Sequence, residues 1–330
     1  FTAIVIAVSL GAALLVVRRV AGTAADTSIE RALAASAAAI DDKLSARSQT
    51  LRATTVRLIQ VPTYVARVEA ALGAGDHGDL LDAVEELSDQ LGAAWVLVTD
   101  ASGVLAAWSG RPDRAGIPLA GGALVDLPLQ GAVGEGVWIE PDSTGETIHQ
   151  AVGVPIRAPG RDVPLGVVVA ALEVDASLAA ALRRNTGTEI VFFTRDPDGA
   201  AVPNVSTVAA GPVVAEALGA DTALARIAIE AAGDDWVGSV GTLRSAAGVP
   251  LGGFVGLRSR SAELTPYLRL QRAITASLIG GLLLALLASA WLAGRIVGPV
   301  RSLVRATRKV GAGDYTDTIV VDSRDEIGEL

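Results

Sequence analysis

Ala94-Trp-Val-Leu-Val-Thr99, Asp100-Ala-Ser-Gly103 and Val104-Leu-Ala-Ala-Trp108 read in succession as a strand, a tight turn and a returning strand. Two apolar runs carrying Val, Leu and Trp flank a cluster of turn formers, which is a local hairpin signal. Working outward, Gly136–Glu140, Thr147–Ile156 and Pro164–Val174 are further strands separated by Gly-, Pro- and Asp-rich turns. Asp175 is a good N-cap for a helix over Ser177–Arg184. The same grammar then recurs in reduced form. Thr188–Thr194 is a strand, Asp196-Pro-Asp-Gly199 a turn, Val213–Leu218 a short helix, and Trp236–Leu243 with Pro250–Leu257 a hairpin.

Helices precede the strands. Apolar residues recur at helical spacing through Ile29, Leu33, Ala37, Ile40, Leu44, Leu51 and Leu58, with no Gly or Pro before Pro62. This long helix has a thin, Ala-rich seam that serves either its own domain or a dimer. A second helix spans Tyr64–Leu72 and ends at Gly73, and a third runs over Asp79–Leu91. After the last strand, Ser261 caps a helix that passes Pro266 into an apolar stretch.

Two segments have membrane character. Ala273–Gly294 is uncharged and lies between Arg272 and Arg295. At ~1.5 Å per residue it is long enough to cross a ~30 Å hydrocarbon core. Phe1–Val17 is also uncharged and stops at Arg18-Arg19. The alternative for this first segment is a cleavable signal peptide, and the reading taken is an uncleaved anchor. Arg295, Arg301, Arg305, Arg308 and Lys309 crowd the C-terminal side of the second span, which places that side in the cytoplasm. Two spans then put residues 18–272 in the periplasm and both termini in the cytoplasm of a bacterial inner membrane. A chain that holds no Met and stops in a charged phrase is expected to be a piece of a longer one.

Composition removes several function classes. Of 330 residues 51% are hydrophobic and 19% charged, so the chain is no disordered acidic tail. The absence of Cys excludes a disulfide framework, a thiol nucleophile and Cys-based metal sites. His77 and His149 are the only histidines, which leaves little for metal binding or general-base chemistry. A net charge of −9 opposes nonspecific nucleic-acid binding. No acidic pair stands out as an acid/base couple, and the glycine-rich Gly131–Gly136 neither follows a clear strand nor opens a helix, as a phosphate loop requires. Neither span contains a His for haem or chlorophyll. The chain is therefore read as no enzyme, with no cofactor and no metal.

Glu85–Pro112, Val152–Leu182 and Asn185–Val208 together resemble the double Cache domain of bacterial extracytoplasmic sensors. The resemblance covers about Ala21–Leu264. It implies a long N-terminal helix, two PAS-like antiparallel sheets, and a small-metabolite site in the membrane-distal sheet module. The Tyr/Arg/Trp/Asp signature of amino-acid-binding members has no convincing match. After the second span, Pro299, the Gly313-Asp314 pair and the Asp325–Leu330 phrase DEIGEL resemble the HAMP domain. Pro299 stands near a helix start, and Val300, Leu303, Thr307 and Val310 follow at 3-4-3 spacing as a coiled-coil seam ended by Gly311 and Gly313. Asp325 and Glu326 suit the start of a second helix. The resemblance implies a relay that works as a two-chain, four-helix bundle, with Pro299, Leu303, Val310, Gly313, Asp314, Asp325 and Glu326 in it. Only the first helix and connector fall within the chain.

The expected ligand contacts are Trp108, Arg111, Trp138 and His149. Trp95, Trp108 and Trp138 make either an aromatic wall or, more simply, sheet core. Arg111 and Arg114 are either a carboxylate clamp or a solvated turn. His149 is a ligand contact or an ordinary hydrogen-bonded histidine, and His77 a loop residue. The fold class is α+β: two transmembrane helices flank a periplasmic double Cache domain, followed by a partial HAMP segment. The divisions are 1–17, transmembrane helix 1; 18–92, helical stalk; 93–186, membrane-distal Cache module; 187–264, membrane-proximal module; 265–294, the helix entering transmembrane helix 2; and 295–330, incomplete HAMP. The function expected is an inner-membrane sensor that passes a periplasmic stimulus to the relay. Its partners are the lipid bilayer, a second copy of the chain and a small periplasmic ligand, with no nucleic acid. The alternative is a sensor-derived accessory subunit held by neighbouring subunits of a photosynthetic or respiratory complex, because a fold does not fix a function.

Overall fold

The computed structural model describes residues 2–141, 145–219, 221, 224–231 and 233–292, and then 301, 304, 305, 307, 308 and 311. The chain divides into two compact units, one of Phe1–Ala24 with Leu264–Leu330 and one of Ala25–Glu263.

The second unit carries both sheets. Its helices come first: α1 (Thr2–Ile59, of which this unit holds the part from Ala25), α2 (Pro62–Ala74) and α3 (His77–Leu91). The second helix runs past Gly73, and its left-handed cap is Gly75, at φ 67°. Gly73 is tolerated inside the turn, while only the position that must adopt positive φ demands glycine. The third helix is capped by Asp76, whose carboxylate accepts from Gly78 and Asp79 N–H. His77 is therefore the first residue of a helix and not part of a loop, and its Nδ1 lies 3.1 Å from Ala106 O.

The first sheet is built from β1 (Trp95–Asp100), β2 (Leu105–Trp108), β3 (Gly134–Pro141), β4 (Glu146–Ile156) and β5 (Gly166–Glu173), in spatial order β2-β1-β5-β4-β3. One face packs on the helices, with Val96, Val98, Val152, Val154, Val168 and Ala170 meeting Leu51, Val68, Leu80 and Val84. The other face carries Trp95, Leu97, Leu105, Ala151, Val167 and Val169, closed by α4 (Ala123–Leu129). Coverage on both faces is why the inner strands read as unbroken apolar runs without alternation. The fourth helix sits very close to the sheet. Gly134 and Gly153 face each other in register, and a Cβ on Gly153 would fall 1.9 Å from Leu124 O.

After α5 (Ala176–Thr186) the second sheet repeats the plan with β6 (Glu189–Arg195), β7 (Ala201–Ser206), β8 (Arg226–Ala231), β9 (Asp234–Arg244) and β10 (Pro250–Ser259). A short helix, α6 (Gly211–Leu218), lies between β7 and β8. The order β7-β6-β10-β9-β8 is that of the first sheet, strand for strand. Two antiparallel sheets of identical topology behind a long helix are what the double Cache resemblance implied. Asp175 caps the fifth helix as expected, accepting from Leu178 N at 2.9 Å.

The last helix is α7 (Arg260–Leu292). Its cap is Ser259 and not Ser261, because Ser259 Oγ accepts from Ala262 N at 2.9 Å while Ser261 already lies inside the first turn. In the other unit, Arg272–Trp291 has a mean hydropathy of 2.1 and no buried share. It is the one helix among the described residues that is long and apolar enough to cross a membrane.

Candidate functional site: an aromatic cluster on the first sheet

Strand register assembles the cluster. Trp138 on β3 faces His149 on β4, and His149 faces Glu173 on β5. One row along, Trp95 faces Ala171, which faces Ala151, which faces Gly136. Directly paired residues project to one face, so three small residues leave room in that row for the large rings beside them. Trp95 is the hub. Its ring centroid lies 5.3 Å from Trp108, 5.5 Å from Trp138 and 5.5 Å from His149. The tryptophan pairs meet edge to face, the arrangement the ring quadrupoles favour.

Arg111 lies at the margin of the cluster. Its Nε donates to Glu140 Oε1 at 2.5 Å and its Nη2 to Pro141 O at 2.6 Å, with the guanidinium 5.8 Å from the Trp108 ring. The arginine is thus neither solvated nor an open clamp. Its charge is already matched by a carboxylate that is only 13% exposed. Arg114 ends a short 3₁₀ turn, Pro112–Arg114, away from these pairings.

Three nitrogens of the cluster are buried without a hydrogen-bond partner in the protein: Trp95 Nε1, Trp108 Nε1 and His149 Nδ1. Orphaned buried polar atoms of this kind are uncommon in folded proteins and call for a water or a ligand. Burial is the main influence on His149 and lowers its pKa. Glu140 and Glu173 oppose that shift, and Arg47 adds to it. The imidazole is therefore held towards its neutral form. Chemically, the cluster offers two indole N–H donors, aromatic edges and faces, and a neutral imidazole. Among the described residues no group of three or more His, Asp or Glu is arranged to hold a metal ion.

All four residues expected to contact a ligand, Trp108, Arg111, Trp138 and His149, therefore meet around one centre. Trp95, grouped with Trp108 and Trp138 in the sequence, belongs with them. None of the four lines any of three cavities of about 340–380 Å³ among the described residues. Those lie along α1, between α2 and α3, and beside Gly136. Pro299, Leu303, Val310, Gly313, Asp314, Asp325 and Glu326 lie outside the described residues. Gly311, expected to end its helix, is itself helical.

Residues 291–330 match the HAMP domain. The HAMP segment begins where the apolar helix Arg272–Trp291 ends. No curated protein matches the chain. Among solved structures, it is similar to the periplasmic domain of Vibrio cholerae LuxQ, with 14% identity and a TM-score of 0.45 over 69% of this chain and 99% of that one. It is also similar to the ligand-binding domain of the Campylobacter jejuni chemoreceptor Tlp3 in complex with 4-methylisoleucine, at 10% identity and a TM-score of 0.45, over 74% of this chain and 94% of that one. The sensor domain of the V. cholerae histidine kinase DctB matches at 16% identity and a TM-score of 0.38, covering 66% and 96% of the two chains. A HAMP segment, an apolar helix and a tandem-sheet domain together support a signalling role as a membrane receptor.

Proposed function

We propose that the chain is the sensing and membrane-crossing part of a two-span bacterial receptor that works as a homodimer. Ala25–Glu263 is its periplasmic domain, the aromatic cluster its ligand-responsive centre, and the HAMP segment its relay. The observation that carries the reading is the HAMP match starting at the end of an uncovered apolar helix. Leu284 and Leu287 on that helix are 69% and 67% exposed. In water such a helix would be a liability, and in hydrocarbon it is at home. No observation on the described residues favours the accessory-subunit alternative.

The ligand class follows from the cluster's chemistry. Two indole N–H donors and a guanidinium suit a small molecule with a carboxylate, and the rings suit an apolar or cationic remainder. Trp108, Arg111, Trp138 and His149 are the proposed contacts. Binding would require the rings to part and Arg111 to share or leave Glu140.

These 330 residues contain no Cys, so single cysteines placed in this stretch, expressed on its own, test the topology cleanly. Ala101→Cys, in the β1–β2 turn, should react with an impermeant maleimide on intact spheroplasts. Val304→Cys should react only after permeabilisation. Labelling of both from the same side overturns the two-span reading. Ligand binding is tested by titrating tryptophan fluorescence with a panel of amino acids and small carboxylates. A saturable change lost in Trp108→Phe supports the site, and a flat response across the panel argues against it.

A further inference from the structure

We propose that the tip of the β9–β10 hairpin, seated on Gly136, is the positioning element through which the state of the aromatic cluster reaches the start of α7. The inference rests on the receptor reading above and adds the route.

The seat is a contact between backbones. A Cβ built on Gly136 would fall 2.2 Å from Ala246 N and 2.5 Å from the Ser245 carbonyl carbon. Backbone atoms cannot swing aside as a side chain can, so the tip of the second sheet's hairpin lies directly on β3 of the first. Ala246 also packs on the apolar group that contains Trp95, Trp108 and Trp138. Close-packed interiors transmit displacement, so a change in how the rings lie changes the surface on which the tip rests.

The arm leaving that tip is β10. It is the central strand of its sheet, bonded to β6 on one side and β9 on the other. At ~3.3 Å per residue it carries the connection over ~30 Å. Its far end is fastened on three sides. Ser259 Oγ donates to Asp234 Oδ2 on β9 and caps the first turn of α7 through Ala262 N at 2.9 Å. Arg258 donates to Glu263 Oε1 at 2.6 Å, Thr186 O at 3.0 Å and Thr188 Oγ1 at 3.3 Å. Thr188 Oγ1 in turn lies 2.8 Å from Ser36 Oγ on α1. Arg260, the first residue of α7, pairs with Asp26 on the same long helix at 2.9 Å. The lower end of β10 is thus tied at once to α1, β9 and the first turn of α7.

The seat also has free space beside it. A cleft of about 340 Å³ is lined by Ser45, Ser48, Glu135, Gly136, Thr242 and Arg244. The cleft borders Gly136 and the end of β9 that leads into the tip, which leaves the space that a displacement of the seat requires.

Deuterium exchange on the full chain in lipid nanodiscs tests this. Gly136→Ala should speed exchange by about threefold or more at residues 244–249 and at 259–263, with α2 and α3 unchanged. Trp138→Phe, which disturbs the cluster and leaves the seat intact, should also reach 259–263. Acceleration confined to the tip or to the cluster overturns the route. Should Gly136→Ala fail to fold, Ala246→Gly removes only the packed methyl and is read in the same two segments. If amino acids and carboxylates fail to bind while residues 259–263 still respond, the ligand reading falls and the route stands.

Discussion

The His149 ring lies 5.5 Å from that of Trp95, tilted by 56°, and His149 Nδ1 and Trp95 Nε1 both lack a protein partner. A histidine buried against indoles is cheaper neutral than charged. Its pKa is accordingly lowered, chiefly by burial and against the pull of Glu140 and Glu173. The unfolded chain then binds a proton more readily than the folded one below the ordinary value of about 6.5, so stability rises with pH there. The contribution is complete above about pH 6.5 and is lost as pH falls towards the folded-state pKa. Denaturation of wild type and His149→Gln between pH 5 and 8 should show this slope in the wild type and its loss in the variant. Equal slopes would place the titration elsewhere.

Arg111 and Glu140 form a partly buried pair at 2.5 Å. Removing only the cation strands a carboxylate that is 13% exposed. Arg111→Met should therefore cost about 1–3 kcal/mol. The double variant Arg111→Met/Glu140→Gln should recover part of that loss. A double-mutant cycle by denaturant unfolding measures the coupling, and additive losses would mean the pair is incidental.

Gly153 seats α4 on the first sheet. A methyl group there would meet Leu124 O, so Gly153→Ala should destabilise by about 1–3 kcal/mol. Exchange protection should fall first in α4 and β3. Wild-type stability in this variant would show that α4 can lift without cost.

Asp175 caps α5 and also bonds the Ser177 hydroxyl at 2.7 Å. Those bonds hold its carboxyl below the usual range, with Ser177 the first cause and Leu178 N–H the next. Its contribution is present above about pH 3.9 and is lost as pH falls through the lower folded-state value. Asp175→Ala should cost about 1 kcal/mol at neutral pH. The difference between variant and wild type should shrink in acid, as thermal melts at pH 7 and pH 2.5 would show.

Legibility followed the strength of local signals. The β1–β2 hairpin, the Asp175 cap and the β9–β10 pair were all readable, because turn formers flank apolar runs and a carboxylate stands just before a helix. The β7 strand gives little local signal because Pro203 and Asn204 are poor strand residues. It survives as an edge strand, where proline costs least. The β8 strand carried a usable signal, since Ile227 and Ile229 alternate with exposed Arg226, Ala228 and Glu230. The glycine-rich run Gly131–Gly136 has a use that its own stretch of sequence does not reveal. Gly134 and Gly136 are glycines because α4 and the hairpin tip lie on them, and the tip at Ser245 and Ala246 is more than a hundred residues away in sequence. The cluster's residue types were visible, whereas its centre at Trp95 depends on cross-strand register that no single strand encodes.

The shared strand order has a consequence for how the chain is made. In each sheet the central strand is the last one synthesised: β5 enters between β1 and β4, and β10 between β6 and β9. Until it arrives, the two edges of each sheet stay apart as separate hairpins with apolar faces open. Closing the second sheet must wait for residues 250–259, the segment that emerges from the ribosome immediately before α7. Loop closure over such separations is slow compared with local hairpins. The half-built domain is therefore most exposed to misassembly just as its apolar helix is being delivered to the membrane.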